Sequence, residues 1–184
     1  MTEEKKDYQI KLPNVRLSFP NLFQTSTFGG EDTGKFDATF ILDKTEHAQL
    51  IKDIGKKIKG LIVDKFKKKS PGADRICLKD GDETDREELQ GCYYIKASTK
   101  KRPMVLDRDK TPVTEEDGVI YSGCYVNAIC TLWAQDNSYG KRVNASLDGV
   151  MFSQHGEPFG APPIDADEFD AFGSPDDDVE SMPF

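Results

Sequence analysis

Val119-Ile120-Tyr121-Ser122-Gly123-Cys124-Tyr125-Val126-Asn127-Ala128-Ile129-Cys130-Thr131-Leu132-Trp133-Ala134 is the stretch whose reading decides the fold. From Cys124 onward every second residue is apolar and small or branched. Cys124, Val126, Ala128, Cys130 and Leu132 share one face, and Tyr125, Asn127, Ile129, Thr131 and Trp133 share the other. A period of two belongs to a strand with one face in a core, because successive side chains point to opposite sides of a sheet. The stretch is long enough for one bent strand or two.

The same period recurs on both sides of it. Residues 92–98 alternate, with Tyr93, Ile95 and Ala97 on one face and Tyr94, Lys96 and Ser98 on the other. Residues 35–42 form a second strand that groups Phe36, Ala38 and Phe40, and residues 8–12 and 15–19 form a first strand broken at Pro13. Phe19, Phe36 and Phe40 read as core. Downstream, a turn-rich loop at 136–142 leads into a last strand at 143–152. Phe28-Gly29-Gly30-Glu31-Asp32 reads as a flexible loop carrying an aromatic, and the acidic run at 80–88 as a solvated loop.

One segment changes period. Asp43 followed by Glu46 resembles a capping box. Leu50, Ile51, Ile54, Ile58, Leu61, Ile62 and Phe66 then recur every three or four residues, with Lys52, Lys56, Lys57, Lys59, Lys65 and the lysines at 67–69 mostly off that stripe. This predicts an amphipathic helix of about 25 residues, ended by Ser70-Pro71-Gly72, whose lysines form a solvated face. About five strands and one helix, with no strand–helix alternation, predict a mainly β chain closed into a small barrel rather than a parallel α/β sheet.

Charge divides the chain. The 184 residues carry 33 acids and 25 bases. Eight of those acids, Asp165, Asp167, Glu168, Asp170, Asp176, Asp177, Asp178 and Glu180, fall in residues 164–184, which contain no Lys or Arg. Setting them aside leaves 25 acids against 25 bases, so the body is neutral and the net −8 belongs to the tail. The Pro-, Gly- and acid-rich end cannot pack a core, which predicts a folded domain over residues 1–160 and a disordered tail over 161–184. No N-terminal signal pattern and no apolar run near the ~18 residues of a bilayer span are present, so the expected setting is soluble and intracellular, away from membranes. Cys77, Cys92, Cys124 and Cys130 lack the close pairing of a zinc site and read as reduced thiols, so neither metal nor cofactor is expected.

Catalytic patterns are missing: there is no phosphate-binding Gly-rich loop with Lys-Ser/Thr and no Gly-x-Ser-x-Gly turn. His47 and His155 stand in no motif. A nuclease would need carboxylates converging from rigid elements, whereas Asp80, Asp82, Glu83, Asp85, Glu87 and Glu88 form a run in one loop. A non-enzymatic protein is expected.

Binding to single-stranded nucleic acid needs cations for phosphates and flat rings for unstacked bases. Several segments mix them. Tyr94 and Lys96 lead into Lys100, Lys101 and Arg102; Trp133 leads through the loop to Tyr139, Lys141 and Arg142; Arg16 precedes Phe23 and Phe28. For Tyr94, Tyr125 and Trp133, opposite the apolar faces, a stacking surface and a plain sheet surface are both open. The tail ends Asp176-Asp177-Asp178-Val179-Glu180-Ser181-Met182-Pro183-Phe184. An apolar tip on a free carboxylate behind acids suits a recruitment peptide: Phe184, with Met182 and Pro183, can fill a pocket while carboxylates meet Arg and Lys on a partner.

The segments 15–23 (Val-Arg-Leu-Ser-Phe-Pro-Asn-Leu-Phe), 36–42, 120–128 and 140–147, in that order and with the tail tip, resemble the single-stranded-DNA-binding proteins of tailed bacteriophages. The tail resembles the acidic, Pro-Phe-ended tails of bacterial single-strand-binding proteins. The resemblance covers most of residues 8–155. It implies a partly open five-stranded Greek-key OB-fold with the helix as an insertion. It also implies sequence-independent coating of single-stranded DNA in a host cytoplasm during phage replication and recombination, with replication or recombination proteins recruited by the tail; self-association stays open. The competing reading is an adaptor or DNA-mimicking inhibitor that acts through the tail alone.

Overall fold

Each alternating run becomes a strand with its apolar side chains turned into a barrel. The computed structural model describes residues 8–67, 70–138 and 140–159. In chain order these form β1 (Gln9–Asn21), a small hairpin of β2 (Thr27–Phe28) and β3 (Glu31–Asp32), β4 (Phe36–Asp43) and the helix α1 (Ala48–Phe66). Then follow β5 (Leu78–Asp80), β6 (Cys92–Thr99), β7 (Met104–Leu106), β8 (Tyr125–Asn137) and β9 (Gly140–Gln154).

β1 pairs antiparallel with β4 and β8, β4 with β6, and β8 with β9. A single parallel contact between Ser98 and Ser146 joins β6 to β9 and closes the ring β1-β4-β6-β9-β8. This is a five-stranded OB-like barrel, closed where a partly open one was expected, with the helix inserted after the second barrel strand. Above the Ser98–Ser146 contact β6 and β9 separate, and residues 76–80 fill the gap: β5 pairs with β6, and Ile76 bridges Val143. That seam positions the site described below.

Val15, Leu17, Phe40, Leu42, Ile95, Val126, Leu132 and Leu147 fill the interior, and α1 adds Ile54, Ile58, Leu61, Ile62 and Phe66 to the same core. Each fully buried side chain of this size stabilises the fold by about 1.5–3 kcal/mol. α1 is 19 residues long, shorter than expected. The Asp43 carboxylate accepts the Thr45 and Glu46 amides, capping a turn that precedes the helix rather than the helix itself. At the other end Lys67 leaves the helical region (φ 55°, ψ −102°), so the helix ends at Phe66.

Three expectations fail for backbone reasons. Phe19 is 57% exposed, not core: the β1–β4 register slips between Ser18 and Asn21, Phe19 has φ 43°, and the alternation reverses there. The expected loop around Phe28 is the β2–β3 hairpin, whose turn residues Gly29 and Gly30 have φ 62° and 84°, the sign a tight two-residue hairpin requires. The expected loop at 136–142 is mostly strand, since the β8–β9 ladder continues to the pair Asn137–Gly140. Within the stretch that decided the fold, the strand begins at Tyr125 and the residues before it form a turn.

Candidate nucleic-acid interface

Ile95 and Ala97 of β6 are fully buried, which forces their neighbours Tyr94, Lys96 and Ser98 to the outer surface. Lys79 of β5 stands opposite Tyr94 in the ladder. Across the seam, buried Val143 likewise turns Arg142 and Asn144 outward from β9. Arg75 arrives from a short 3-10 turn (Ala73–Arg75), and its guanidinium packs so closely on Gly140 that a β-carbon there would collide with Nη1. Together these residues line an open cleft of about 360 Å³ along the seam. Four cations, Arg75, Lys79, Lys96 and Arg142, share it with one carboxylate, Asp74. Among the described residues none of the four cations makes an ion pair. A cleft in which four cations outnumber one carboxylate concentrates positive field and attracts a polyanion. One strand further round, Trp133 stands opposite Asn144 and is 44% exposed, so its ring is a free platform beside the cleft.

Of the residues picked from the sequence, the cleft therefore brings together Tyr94, Lys96 and Arg142, with Trp133 at its flank. Arg75 and Lys79 were missed. Each is an isolated cation in sequence, although Arg75-Ile76-Cys77-Leu78-Lys79, an apolar core between two bases, is readable as a short strand. Lys141 lies next to Arg142, with Nζ 5.4 Å from the centre of the Phe66 ring. Lys100 and Lys101 are exposed just past the end of β6, and Arg102 lies over Phe36 at 5.8 Å. Phe28 is 84% exposed at the hairpin tip, whereas Phe23 is half-buried against the core. Tyr139 and the tail residues Asp176, Asp177, Asp178, Glu180, Met182, Pro183 and Phe184 lie outside the described residues, as does the expected disorder of 161–184.

Arg16 and Tyr125 are occupied by the chain itself. After β9 a strap of residues 155–159 lies across them. Arg16 donates from Nε to the Gly123 carbonyl (3.2 Å) and from Nη2 to the Glu157 carbonyl (2.5 Å), and its guanidinium stacks 4.1 Å from the centre of Phe159. Gly156 donates its amide to Tyr121 Oη and packs on the Tyr125 ring, and the Phe159 amide reaches the Ser122 carbonyl. The strap can lie this close because Gly123 has φ 113° and no side chain; a β-carbon would meet the Glu157 carbonyl and come within 2.7 Å of Pro158 Cα. Gly123→Ala is expected to lower stability by about 1–3 kcal/mol through backbone strain and loss of the strap. A urea midpoint equal to wild type would refute that account.

The acidic loop is tied down. Lys44 Nζ bridges Asp80 (2.8 Å) and Asp82 (2.6 Å), and Arg86 pairs with Glu88 (2.6 Å). These contacts raise the Lys44 ammonium above its ordinary range; Asp80, bonded first by Lys44, and Asp82, held first by the Gly91 amide, are lowered. Among the described residues no group of three or more His, Cys, Asp or Glu side chains is placed to hold a metal ion. Burial pushes the Cys77 thiol up to about 11 and raises Cys130 as well, so neither is a ready nucleophile. No described helix is long and apolar enough to cross a membrane.

The chain is similar to known proteins over most of its length. The family described as the ssDNA-binding protein of Enterobacter phage Enc34 matches residues 8–180. "Putative protein p50" of Acyrthosiphon pisum secondary endosymbiont phage 1 is 40% identical over 172 residues, covering 88% of this chain and 92% of the relative. The single-stranded DNA-binding protein from bacteriophage Enc34 in complex with ssDNA superposes with a TM-score of 0.76 at 34% identity, over 84% of this chain and 91% of that one. Its structure without the complex gives 0.75 at 32% identity, over 91% of each. Sequence and barrel agree along almost their whole length, and the chain belongs to the Enc34 family of phage ssDNA-binding proteins.

Proposed function

We propose that the chain coats single-stranded DNA without base specificity, along the β6–β9 seam. Lys79, Lys96 and Arg142, with Arg75 at the end of the cleft, hold the sugar-phosphate backbone, while Tyr94 and Trp133 take the faces of unstacked bases. The observation that carries this reading is the convergence, from three separate segments on one open cleft, of four cations that make no ion pair among the described residues, beside the half-buried Tyr94 and the exposed Trp133. Phosphate contacts carry no sequence information, and every base has a stackable face, so such a cleft does not discriminate among bases. The related Enc34 protein in complex with ssDNA supports it. The surface is a binding surface with no assigned catalytic group. Lys100, Lys101, Arg102, Lys141 and Phe28 are secondary contacts of this reading. Arg16, Phe23 and Tyr125 serve the strap and the core first.

The tail is a recruitment peptide for replication or recombination proteins, through its acids and its Met-Pro-Phe tip. Deleting residues 164–184 tests both halves. Oligo-dT affinity is expected to stay equal or rise, because a competing polyanion has gone, and capture of replication proteins is lost. If the truncated chain ignored DNA and every interaction vanished with the tail, the adaptor reading would replace this one.

A further inference from the structure

The exposed face of α1 is left unused by that reading. At about 3.6 residues per turn, Lys52, Lys56 and Lys59 fall in one narrow sector of the helix, opposite the buried Ile54, Ile58 and Leu61. All three lysines are exposed. Among the described residues none makes an ion pair. The helix's two acids form no ion pair with them among the described residues. Asp53 accepts from Gln49 (2.9 Å) and keeps its charge, and Asp64 is engaged by Tyr8 (3.4 Å) and Lys65 (3.9 Å) on the flank facing β1, so the face stays positive by excess of lysine. Like charges at spacings of four and three residues oppose helix formation, so the pattern is unfavourable for the isolated chain.

The position of the stripe matters as much as its sign. The C-terminal end of α1 meets the seam: Phe66 lies under Lys141, and Arg75, nine residues past the helix, packs on Gly140 at the start of β9. Arg142, Lys141 and the exposed C-cap Lys67 lie at that end of the helix, and Lys59 stands about 12 Å from Lys67 along it, with the exposed Val63 between them in the same sector. From Lys59 to Lys52 the track extends about 10 Å further.

We propose that Lys52, Lys56 and Lys59 form a second tract for single-stranded DNA, which takes the sugar-phosphate backbone of a strand leaving the seam at its Arg142 end. The tract is electrostatic only, since the sector holds no aromatic residue, and it lengthens the DNA that one chain covers. This rests on the seam being the primary site, and the test separates the two.

The full chain and the variant Lys52→Glu/Lys56→Glu/Lys59→Glu are titrated with an oligo-dT of about 8 nucleotides, which fits the seam alone, and one of about 25. The expected result is an affinity for the long oligonucleotide at least tenfold weaker, with its log–log salt slope shallower by roughly 2 for three phosphates released. Affinity for the short oligonucleotide is unchanged. Equal affinities for both proteins at both lengths, or an equal loss at both lengths, would overturn the second tract while leaving the seam intact. A wild-type chain that bound neither oligonucleotide would sink the seam reading and this one with it. If a labelled peptide of residues 164–184 bound the wild-type chain and not the variant, with DNA binding unaltered, the stripe would belong to the acidic tail and the proposal would be wrong.

Discussion

Replacing Lys79, Lys96 and Arg142 together with alanine is expected to weaken binding to a long oligo-dT by about a hundredfold and to flatten its salt dependence. The reasoning is electrostatic. Each cation that neutralises a phosphate releases about 0.7 of a counterion from a single strand, so three lost contacts take roughly 2 from the log–log slope. At about 1 kcal/mol for each surface contact, the combined loss is about 3 kcal/mol, or two orders of magnitude in affinity. The three side chains point outward from strands and have no ion-pair partner among the described residues, so folding should be little affected. Fluorescence polarisation over a range of salt reads both numbers. A variant that kept the wild-type slope would show that the phosphates do not pass along the seam.

The aromatic pair gives the complementary result. Tyr94→Ala with Trp133→Ala removes two stacking faces at ~1–3 kcal/mol each, and so costs about 30-fold at least. The salt slope should stay at the wild-type value, since no cation has been removed. A loss of affinity that came with a flatter slope would mean that the rings act by positioning the neighbouring cations instead of by stacking. Trp133 is the sharper half of this test: its ring is well exposed and lies opposite Asn144, so alanine there leaves no cavity in the core.

These experiments treat the site as three segments brought together in space, which explains what sequence reading found and what it missed. Lys96 was accessible to it because strand alternation alone puts the residue opposite Ile95 and Ala97. Arg75 and Lys79 were not, because nothing local says that residues 76–80 insert between β6 and β9. Arg16 shows the opposite case. Its sequence neighbourhood of base and aromatics is the right composition for a nucleic-acid contact, yet two carbonyls and the Phe159 ring engage its guanidinium. The carbonyl of Glu157 comes from 141 residues further along the chain, beyond the reach of any local pattern.

Period two in residues 92–98 and 124–132, period three to four in residues 50–66, and the confinement of net charge to residues 164–184 were set by the order of the residues. Side-chain direction in a strand or helix follows from backbone geometry, and charge is simply counted. Barrel class, helix insertion and the existence of an acidic tail follow from that order. Whether Phe19 turned in or out, whether Arg16 was free, and which cations shared a cleft were decided only when distant segments packed. The first depends on a register slip and a positive φ, the second on a strap that the missing side chain of Gly123 admits, and the third on residues 76–80 entering the gap between β6 and β9; such features acquire their energy from contacts that exist only in the folded chain.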